Sequence, residues 1–259
     1  MFQRFRRLRE TERGLLHYHL MLRAAVLCLL GWKLLKQQWG HAGLCALTLG
    51  LFCIPALAET LLKLRFPPLL EVTVTIFAVC ANLCGEMWGF YLRFRWWDMG
   101  LHLIWGFLAG VAGCAFFRIV QREGLTPPAA ALAALGFAAL TSICWEFFEY
   151  FMDVVFRTDM QKSCWLPSVT SLLLNPAGTN QTVTEAAESV LVNGAAWQGF
   201  LDPGLTDTMS DLSLNFAGSL PAAVLVWLDA RPGSRLRFLT KLTPTRAERP
   251  KKGISDEKA

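Results

Sequence analysis

Charged residues are scarce in this sequence: Asp, Glu, Lys and Arg make up 17% of its 259 residues, whereas hydrophobic residues make up 54%. Soluble domains carry about 25% charged residues, so this balance argues against a soluble protein. The chain also lacks a Gly-rich phosphate loop, a serine in a nucleophile elbow and a Cys/His pair in the usual local context. Kinase and soluble hydrolase templates are therefore unsupported.

Closely spaced cysteine pairs are almost as scarce. The chain has eight cysteines, of which Cys80 and Cys84 lie one helical turn apart, but no second close pair completes a zinc signature. Free cysteines inside apolar segments behave as small buried hydrophobes, so we interpret them as packing residues. They do not identify a redox compartment.

Long apolar windows are what the chain has instead. Six windows of about twenty residues recur, the length that crosses the roughly 30 Å core of a bilayer. They predict an all-α, polytopic membrane helix bundle with about six transmembrane helices. The expected spans are Leu15–Leu35, Trp39–Leu62, Leu69–Leu92, Trp97–Val120, Ala129–Phe156 and Thr206–Leu228.

Basic residues accumulate at both ends of the chain, with five arginines among the first 13 residues. Cytoplasmic flanks of membrane spans carry such an excess, so we expect both termini to be cytoplasmic. The basic flanks favour membrane lipids, with anionic inner-leaflet headgroups, as partners and argue against nucleic acid. We expect a bundle over residues 1–229, an extracytoplasmic loop over about 157–205, and a basic, disordered cytoplasmic tail over 230–259.

Acidic and histidine side chains stand inside these apolar windows, where an unpaired charge is costly. Asp98 and His102 open the fourth span, whereas Glu146 and Glu149 lie in the last part of the fifth. Because successive spans alternate in direction, these groups meet at one level near the outer end of the bundle. The predicted catalytic or ligand residues are Glu86, Asp98, His102, Glu146, Glu149, Asp207, Asp211 and Asn215.

A divalent metal is the most economical companion for several carboxylates in a low dielectric, because they otherwise repel one another. His102 lies one turn from Asp98 and Glu149 three residues from Glu146, so each pair can face one ion. A mixed nitrogen and oxygen ligand set suits Zn, Mn or Fe better than Ca. The predicted metal ligands are Asp98, His102, Glu146, Glu149 and Asp211.

Four motifs give the chain a family resemblance. They are Gly85-Glu86-Met87-Trp88-Gly89, Trp97-Asp98-Met99-Gly100-Leu101-His102 with Gly106, Trp145-Glu146-Phe147-Phe148-Glu149, and Asp207-Thr208-Met209-Ser210-Asp211 with Asn215 and Gly218. Through them the chain resembles the YjdF-like bacterial inner-membrane proteins. The last motif is also similar, more loosely, to VanZ-like membrane proteins. The resemblance implies a multi-pass protein of the bacterial inner membrane with its site at these positions, and it supplies no reaction.

Small residues and the long loop complete the expected site. Gly106, Gly110, Gly113 and Gly218 have the small-xxx-small spacing that lets membrane helices pack closely, with or without a site-shaping role. In the loop, we expect an amphipathic helix over about Thr184–Val192 that covers the site as a lid. The alternative is a plain extracytoplasmic excursion.

The leading hypothesis for function is a metal-dependent site at the extracytoplasmic side that acts on a lipid-linked or envelope substrate. One alternative is a proton- or cation-coupled transporter, for which Glu59 and Glu71 are the polar residues of the inner half. Another is a non-catalytic scaffold, in which the carboxylates form ion pairs with Arg93, Arg95 or Arg157.

Overall fold

The computed structural model of the chain describes residues 2–61, 64–120, 125–234 and 236–246. Within these residues, six helical segments are long and apolar enough to cross a membrane, as the sequence predicts. The third ends at Met87 and not at Leu92, because Gly89 adopts a left-handed conformation with φ of 68°. The six segments are Arg13–Leu35, Trp39–Leu61, Pro68–Met87, Trp96–Val120, Pro127–Phe156 and Leu205–Asp229.

Ten α-helices are described, and the second span consists of two of them in succession. They are α1 (Phe2–Thr11), α2 (Arg13–Leu35), α3 (Trp39–Leu51), α4 (Ile54–Leu61), α5 (Pro68–Ala78), α6 (Phe90–Arg93), α7 (Arg95–Val120), α8 (Pro127–Phe156), α9 (Leu205–Asp229) and α10 (Arg237–Thr240). Pro68 and Pro127 stand at the first positions of α5 and α8. A proline is tolerated there because the first N–H groups of a helix have no intrahelical acceptor.

Helix α5 continues as a π-helix over Val79–Met87, which completes the third span. Its wider turns end where the Trp88 N–H donates to the Leu83 carbonyl oxygen, five residues back, at 2.9 Å. Gly85 faces the ring of Tyr91, and a Cβ at that position would overlap the ring. Single π-helical turns are frequent near functional sites, and this one brings Tyr91 beside the first turns of α7.

Helices α7, α8 and α9 form the tightest part of the bundle. A Cβ on Gly106 would fall onto the backbone carbonyl of Asn215, and one on Gly218 onto that of Leu103. The two helix backbones therefore touch at this crossing, which confirms the close packing that the glycine spacing predicts. Ala130 and Ala134 of α8 and Ala222 of α9 are fully buried in the core between these helices.

The long loop between α8 and α9 is built from short β-strands, and the lid helix predicted over Thr184–Val192 is wrong. Asn193 and Gly194 join two of these strands with φ of 50° and 84°, the backbone of a type I′ hairpin turn. The strands are β2 (Cys164–Leu166), β3 (Ser168–Ser171), β4 (Val183–Ala186), β5 (Val190–Val192), β6 (Ala195–Trp197) and β7 (Phe200–Asp202). Strand β2 pairs with β7, β3 with β4 and β5 with β6, all antiparallel.

Residues 236–246, which belong to the tail predicted from residue 230, contain the short helix α10 and a two-residue strand. Leu239 and Leu242 are buried in the core cluster that also holds Ala134 and Ala222. Strand β8 (Thr245–Arg246) pairs with strand β1 (Leu64–Arg65). Residues 247–259 of the predicted tail lie outside the described residues.

Candidate functional site

His102 is the centre of a buried polar group between α7 and α9. Its Nε2 atom lies 3.1 Å from a carboxylate oxygen of Asp211 and 3.5 Å from one of Asp98. The side chains of His102 and Asp211 are 11% and 4% exposed, whereas that of Asp98 is 24% exposed. The polar group is therefore shielded from solvent at His102 and Asp211 and partly accessible to solvent at Asp98.

Asn215 holds the other nitrogen of the imidazole ring. Its Nδ2 atom lies 3.0 Å from His102 Nδ1 and 2.6 Å from Ser142 Oγ, while its Oδ1 atom is buried without a hydrogen bond. With Nδ2 in this place, the amide donates to Nδ1, and Nε2 carries the ring proton toward Asp211. A half turn of the amide puts Oδ1 there, so that Nδ1–H donates to it and Nε2 presents its lone pair to the carboxylates.

Glu146 and Glu149 project from α8 toward the same place. Both are buried, at 5% and 7% exposure, and neither oxygen of Glu146 makes a hydrogen bond of ordinary geometry, although the Thr208 hydroxyl lies beside it. Glu149 Oε1 accepts a hydrogen bond of 2.9 Å from Trp145 Nε1, whereas its Oε2 is buried without a partner. Buried carboxylate oxygens without donors are costly, so these three oxygens need a proton or a cation.

Asp211 belongs to both of the sets of three side chains that could each hold a metal ion. One oxygen or nitrogen from each of Asp98, His102 and Asp211 lies within 4.8 Å of the others, and the same holds for Glu146, Glu149 and Asp211. We call these five residues the acid–histidine cluster. The convergence that the sequence predicts for the metal ligands is thus present, and it comes from three helices whose adjoining ends lie on one side of the bundle.

The other residues predicted for the site lie around the cluster. Asn215 holds His102, as described above, and Asp207 is half-buried near enough to Asp98 and His102 to interact electrostatically. Glu86 is in neither group of ligands; its carboxylate lies 3.3 Å from Lys162 Nζ and is 43% exposed. Glu86 therefore belongs to the rim of the site.

The segment that leads out of α8 lies over the start of α9. Asp153 accepts hydrogen bonds from the backbone N–H groups of Met160 and Gln161, at 2.7 and 2.9 Å. Gln161 Nε2 donates to Thr208 Oγ1 at 2.7 Å, and a Cβ at Gly204 would meet the Gln161 backbone. The first turn of the loop, and not a helix farther along it, thus covers this edge of the site.

Lys162 and Tyr91 form the rim beside Glu86. The Lys162 ammonium lies 5.2 Å from the centroid of the Tyr91 ring, in a cation–π contact. Burial raises the pKa of the Tyr91 phenol, and the nearby Asp98 and Glu86 carboxylates raise it further. The phenol is therefore protonated at neutral pH and can donate a hydrogen bond near the cluster.

Arginine ion pairs with the cluster, expected for a scaffold, are absent among the described side chains. Neither Arg93 nor Arg157 pairs with any of the four carboxylates, and the Arg95 side chain lies outside the described part of the structure. Within that part, the basic side chain that pairs with these carboxylates is His102, which belongs to the cluster itself.

Sequence reasoning missed the residues that hold and border the cluster. Ser142 lies on the same face of α8 as Glu146, four residues earlier, and this spacing was a usable signal. Lys162, Gln161 and Tyr91 come from segments without a periodic pattern. Their positions depend on the path of the backbone after α8 and after the π-helix, which single-sequence patterns do not reveal.

A second buried polar group lies at the opposite end of the bundle, near the starts of α2 and α5. Glu71 is 1% exposed, accepts a hydrogen bond of 2.6 Å from Arg4, and lies 2.9 Å from His19 Nε2. Tyr18 and Thr75 hydroxyls lie 2.8 Å apart beside it. These contacts fasten α1 to the third span.

The comparisons with known proteins bear on the whole bundle. A family described as predicted membrane protein (DUF2238) matches residues 16–231. This family is consistent with the YjdF-like resemblance, whereas nothing in the comparisons supports the similarity to VanZ-like proteins. Neither curated proteins nor solved structures give a significant match.

Proposed function

The chain belongs to the DUF2238 family of predicted membrane proteins, and from this premise we propose that its acid–histidine cluster binds a divalent metal ion. The observation that carries the proposal is the position of His102 Nε2, at 3.1 and 3.5 Å from two carboxylate oxygens. Ligand atoms around a tetrahedral ion with bonds of about 2.1 Å lie roughly 3.4 Å apart. Both separations from His102 Nε2 are close to this value, and the three donor atoms all lie within 4.8 Å of one another.

The contact between Asn215 and His102 supports the same proposal. A metal-bound histidine usually donates its second ring N–H to a fixed acceptor, which sets the tautomer. With its amide rotated by a half turn, Asn215 Oδ1 would supply that acceptor and leave the Nε2 lone pair for the ion. Zn, Mn and Fe all accept one imidazole with carboxylates.

We place this site on the extracytoplasmic side of a bacterial inner membrane, with a lipid-linked or envelope substrate. The support is the basic N-terminus, the YjdF-like resemblance and the exposure of Asp98 at the end of a span. Trp96 lies two residues before Asp98 and Trp145 directly before Glu146, and both are exposed, at 62% and 45%, as aromatic residues are at a bilayer interface. A bound ion would polarise an ester or amide carbonyl, or a phosphoryl group, and activate water there, with Asp207 as the adjacent proton acceptor.

The transporter and scaffold hypotheses make different use of the same residues. A transporter needs a second polar site whose contacts can change as the ion passes, but Glu71 is held by contacts with Arg4 and His19. A scaffold needs ion pairs that neutralise the carboxylates, but the Glu146 oxygens form none among the described residues. Both observations favour a cation-binding site.

Elemental analysis of detergent-purified protein tests the proposal. The wild type should retain zinc, manganese or iron through gel filtration, and H102A should lose it. H17A is the matched control, because His17 is exposed at the opposite end of the bundle. A folded wild type without metal after incubation with each of these ions would contradict the proposal, as would equal metal content in H102A and H17A.

A further inference from the structure

The structure assigns a second divalent ion to the same cluster: Glu146, Glu149 and Asp211 hold it, and Asp211 bridges it to the ion at His102. This inference rests on the proposed function, since it adds an ion to the site proposed above. It turns the acid–histidine cluster into a two-metal centre.

The unsatisfied oxygens of Glu146 and Glu149 carry the inference. Glu149 Oε2 is buried without a hydrogen bond, both Glu146 oxygens are buried with only the Thr208 hydroxyl beside them, and both residues are more than nine-tenths buried. They share one place with Asp211, because a ligand oxygen from each residue lies within 4.8 Å of the others. An ion at His102 alone leaves Glu149 Oε2 without a partner and Glu146 with the Thr208 hydroxyl alone, whereas an ion between these residues and Asp211 would satisfy both carboxylates.

The charge of the cluster favours two ions over one. Asp98, Glu146, Glu149 and Asp211 bring four negative charges when they are ionised, and His102 is neutral as a ligand. One divalent ion leaves two charges uncompensated in a buried site, which is costly. Two divalent ions supply four positive charges, which match the four carboxylates.

Asp211 has the position that a bridging ligand needs. It is the one residue common to both ligand groups, and its side chain is 4% exposed. The two oxygens of a carboxylate can bind one ion each, which gives the separation of about 3.5–4 Å found in two-metal sites. Trp145 Nε1 donates a hydrogen bond to Glu149 Oε1, so Oε2 is the atom available to bind the ion.

The two positions differ in chemistry. The His102 position offers nitrogen and oxygen, whereas the second offers oxygen alone, which suits Mn or Mg better than Zn. Mn²⁺ accepts both kinds of ligand and is paramagnetic, so it is the appropriate probe. Centres of this kind would stabilise both the attacking and the leaving oxygen when a carboxylic or phosphate ester is hydrolysed.

Manganese titration of the purified protein, followed by electron paramagnetic resonance, tests the inference. The wild type should bind two Mn²⁺ per chain and give a spin-coupled signal. The double variant E146Q/E149Q should bind one and give the six-line signal of an isolated ion. Glutamine keeps the size of each side chain, and a thermal unfolding curve checks that the variant is folded.

The possible results separate this inference from the proposed function. One Mn²⁺ per wild-type chain, lost in H102A and kept in E146Q/E149Q, overturns the second ion and leaves the first. Two ions without spin coupling overturn the Asp211 bridge. No bound Mn²⁺, zinc or iron in the wild type overturns both proposals. The wild-type signal alone decides the bridge, whether or not the double variant folds.

Discussion

Asp202 is the residue that fixes the start of α9, and with it the height of Asp207 and Asp211. Its carboxylate accepts hydrogen bonds from the N–H groups of Leu205 and Thr206, at 3.0 and 2.7 Å. Hydrogen bonds from the side chain and then the backbone of Thr206 lower the pKa of Asp202 below its usual value. The group lies outside the six spans and is buried.

The stability that Asp202 confers should depend on pH. Because its pKa is lower in the folded state, the stabilisation is complete above the unfolded value of about 3.9 and disappears as pH falls through the folded value. We expect D202A to lower the free energy of unfolding by about 1 kcal/mol at pH 7, as the loss of a helix cap does. Thermal unfolding in detergent at pH 7 and at pH 3 measures this difference.

The control for Asp202 is E188A, which removes an exposed carboxylate of the same loop. It should unfold like the wild type at both pH values. A D202A protein that is as stable as the wild type at pH 7, or a difference that persists unchanged at pH 3, would count against the capping role.

Asn215 should control metal affinity without binding the metal itself. Its amide fixes the ring of His102, so N215A should weaken binding about 10- to 100-fold, as the loss of such outer contacts does in known sites. Competition with a chromophoric chelator measures the affinity. The control is S213A, an exposed position on the same helix, and equal affinities of the two variants would refute the positioning role.

At the scale of helices, the crossing of α7 and α9 brings the ligands of the two helices together. Its cause is the pair Gly106 and Gly218, each of which faces a backbone carbonyl of the other helix. The spacing of these glycines was readable in the sequence, as was the helical spacing of Asp98 with His102 and of Asp211 with Asn215. What could not be read was the crossing point, which depends on all the packed side chains.

Glycine-to-alanine exchange tests this crossing. G106A puts a Cβ onto the Asn215 carbonyl and should destabilise the protein by roughly 1–3 kcal/mol, as overpacking does. It should also reduce metal binding, because the two helices must separate. G100A on the same helix is the control, since a Cβ there meets nothing within 4 Å. Similar melting temperatures for the two variants would show that the helices do not touch at Gly106.

The loop shows where helical periodicity misleads. Apolar residues near Val190 fit the helix predicted over Thr184–Val192, but Asn193-Gly194, which follows it directly, is a strong signal for a two-residue hairpin. The turn pairs Val190–Val192 with Ala195–Trp197, so these residues form a strand and not the end of a helix. The turn dipeptide was the better predictor here.

At the scale of the molecule, hydropathy alone identified the six spans, because each backbone in a bilayer must satisfy its own hydrogen bonds as a helix. Alternating span directions then brought Asp98, Glu149 and Asp211 to one end. The packing of Leu239 against the bundle was not predicted, because the basic residues around it resemble a disordered tail. Its two buried leucines are too few for a periodic signal.

Cys164 offers a test of sidedness for the whole bundle. It is the one cysteine outside the six spans, it is a free thiol, and it lies in the loop that we place outside the membrane. A membrane-impermeant maleimide should label it in intact cells, and C164S should abolish the label. Labelling only after the cells are permeabilised would reverse the proposed orientation.

The central claim is a metal ion bound by His102 and carboxylates, and X-ray absorption spectroscopy of the metal-loaded protein addresses it most directly. We predict a first shell of nitrogen and oxygen at about 2.0–2.2 Å, as in zinc sites with these ligands, with imidazole scattering that is absent in H102A. A sulfur shell at about 2.3 Å, which would mean ligation by cysteines such as Cys80 and Cys84, would contradict the account. So would imidazole scattering that H102A leaves unchanged.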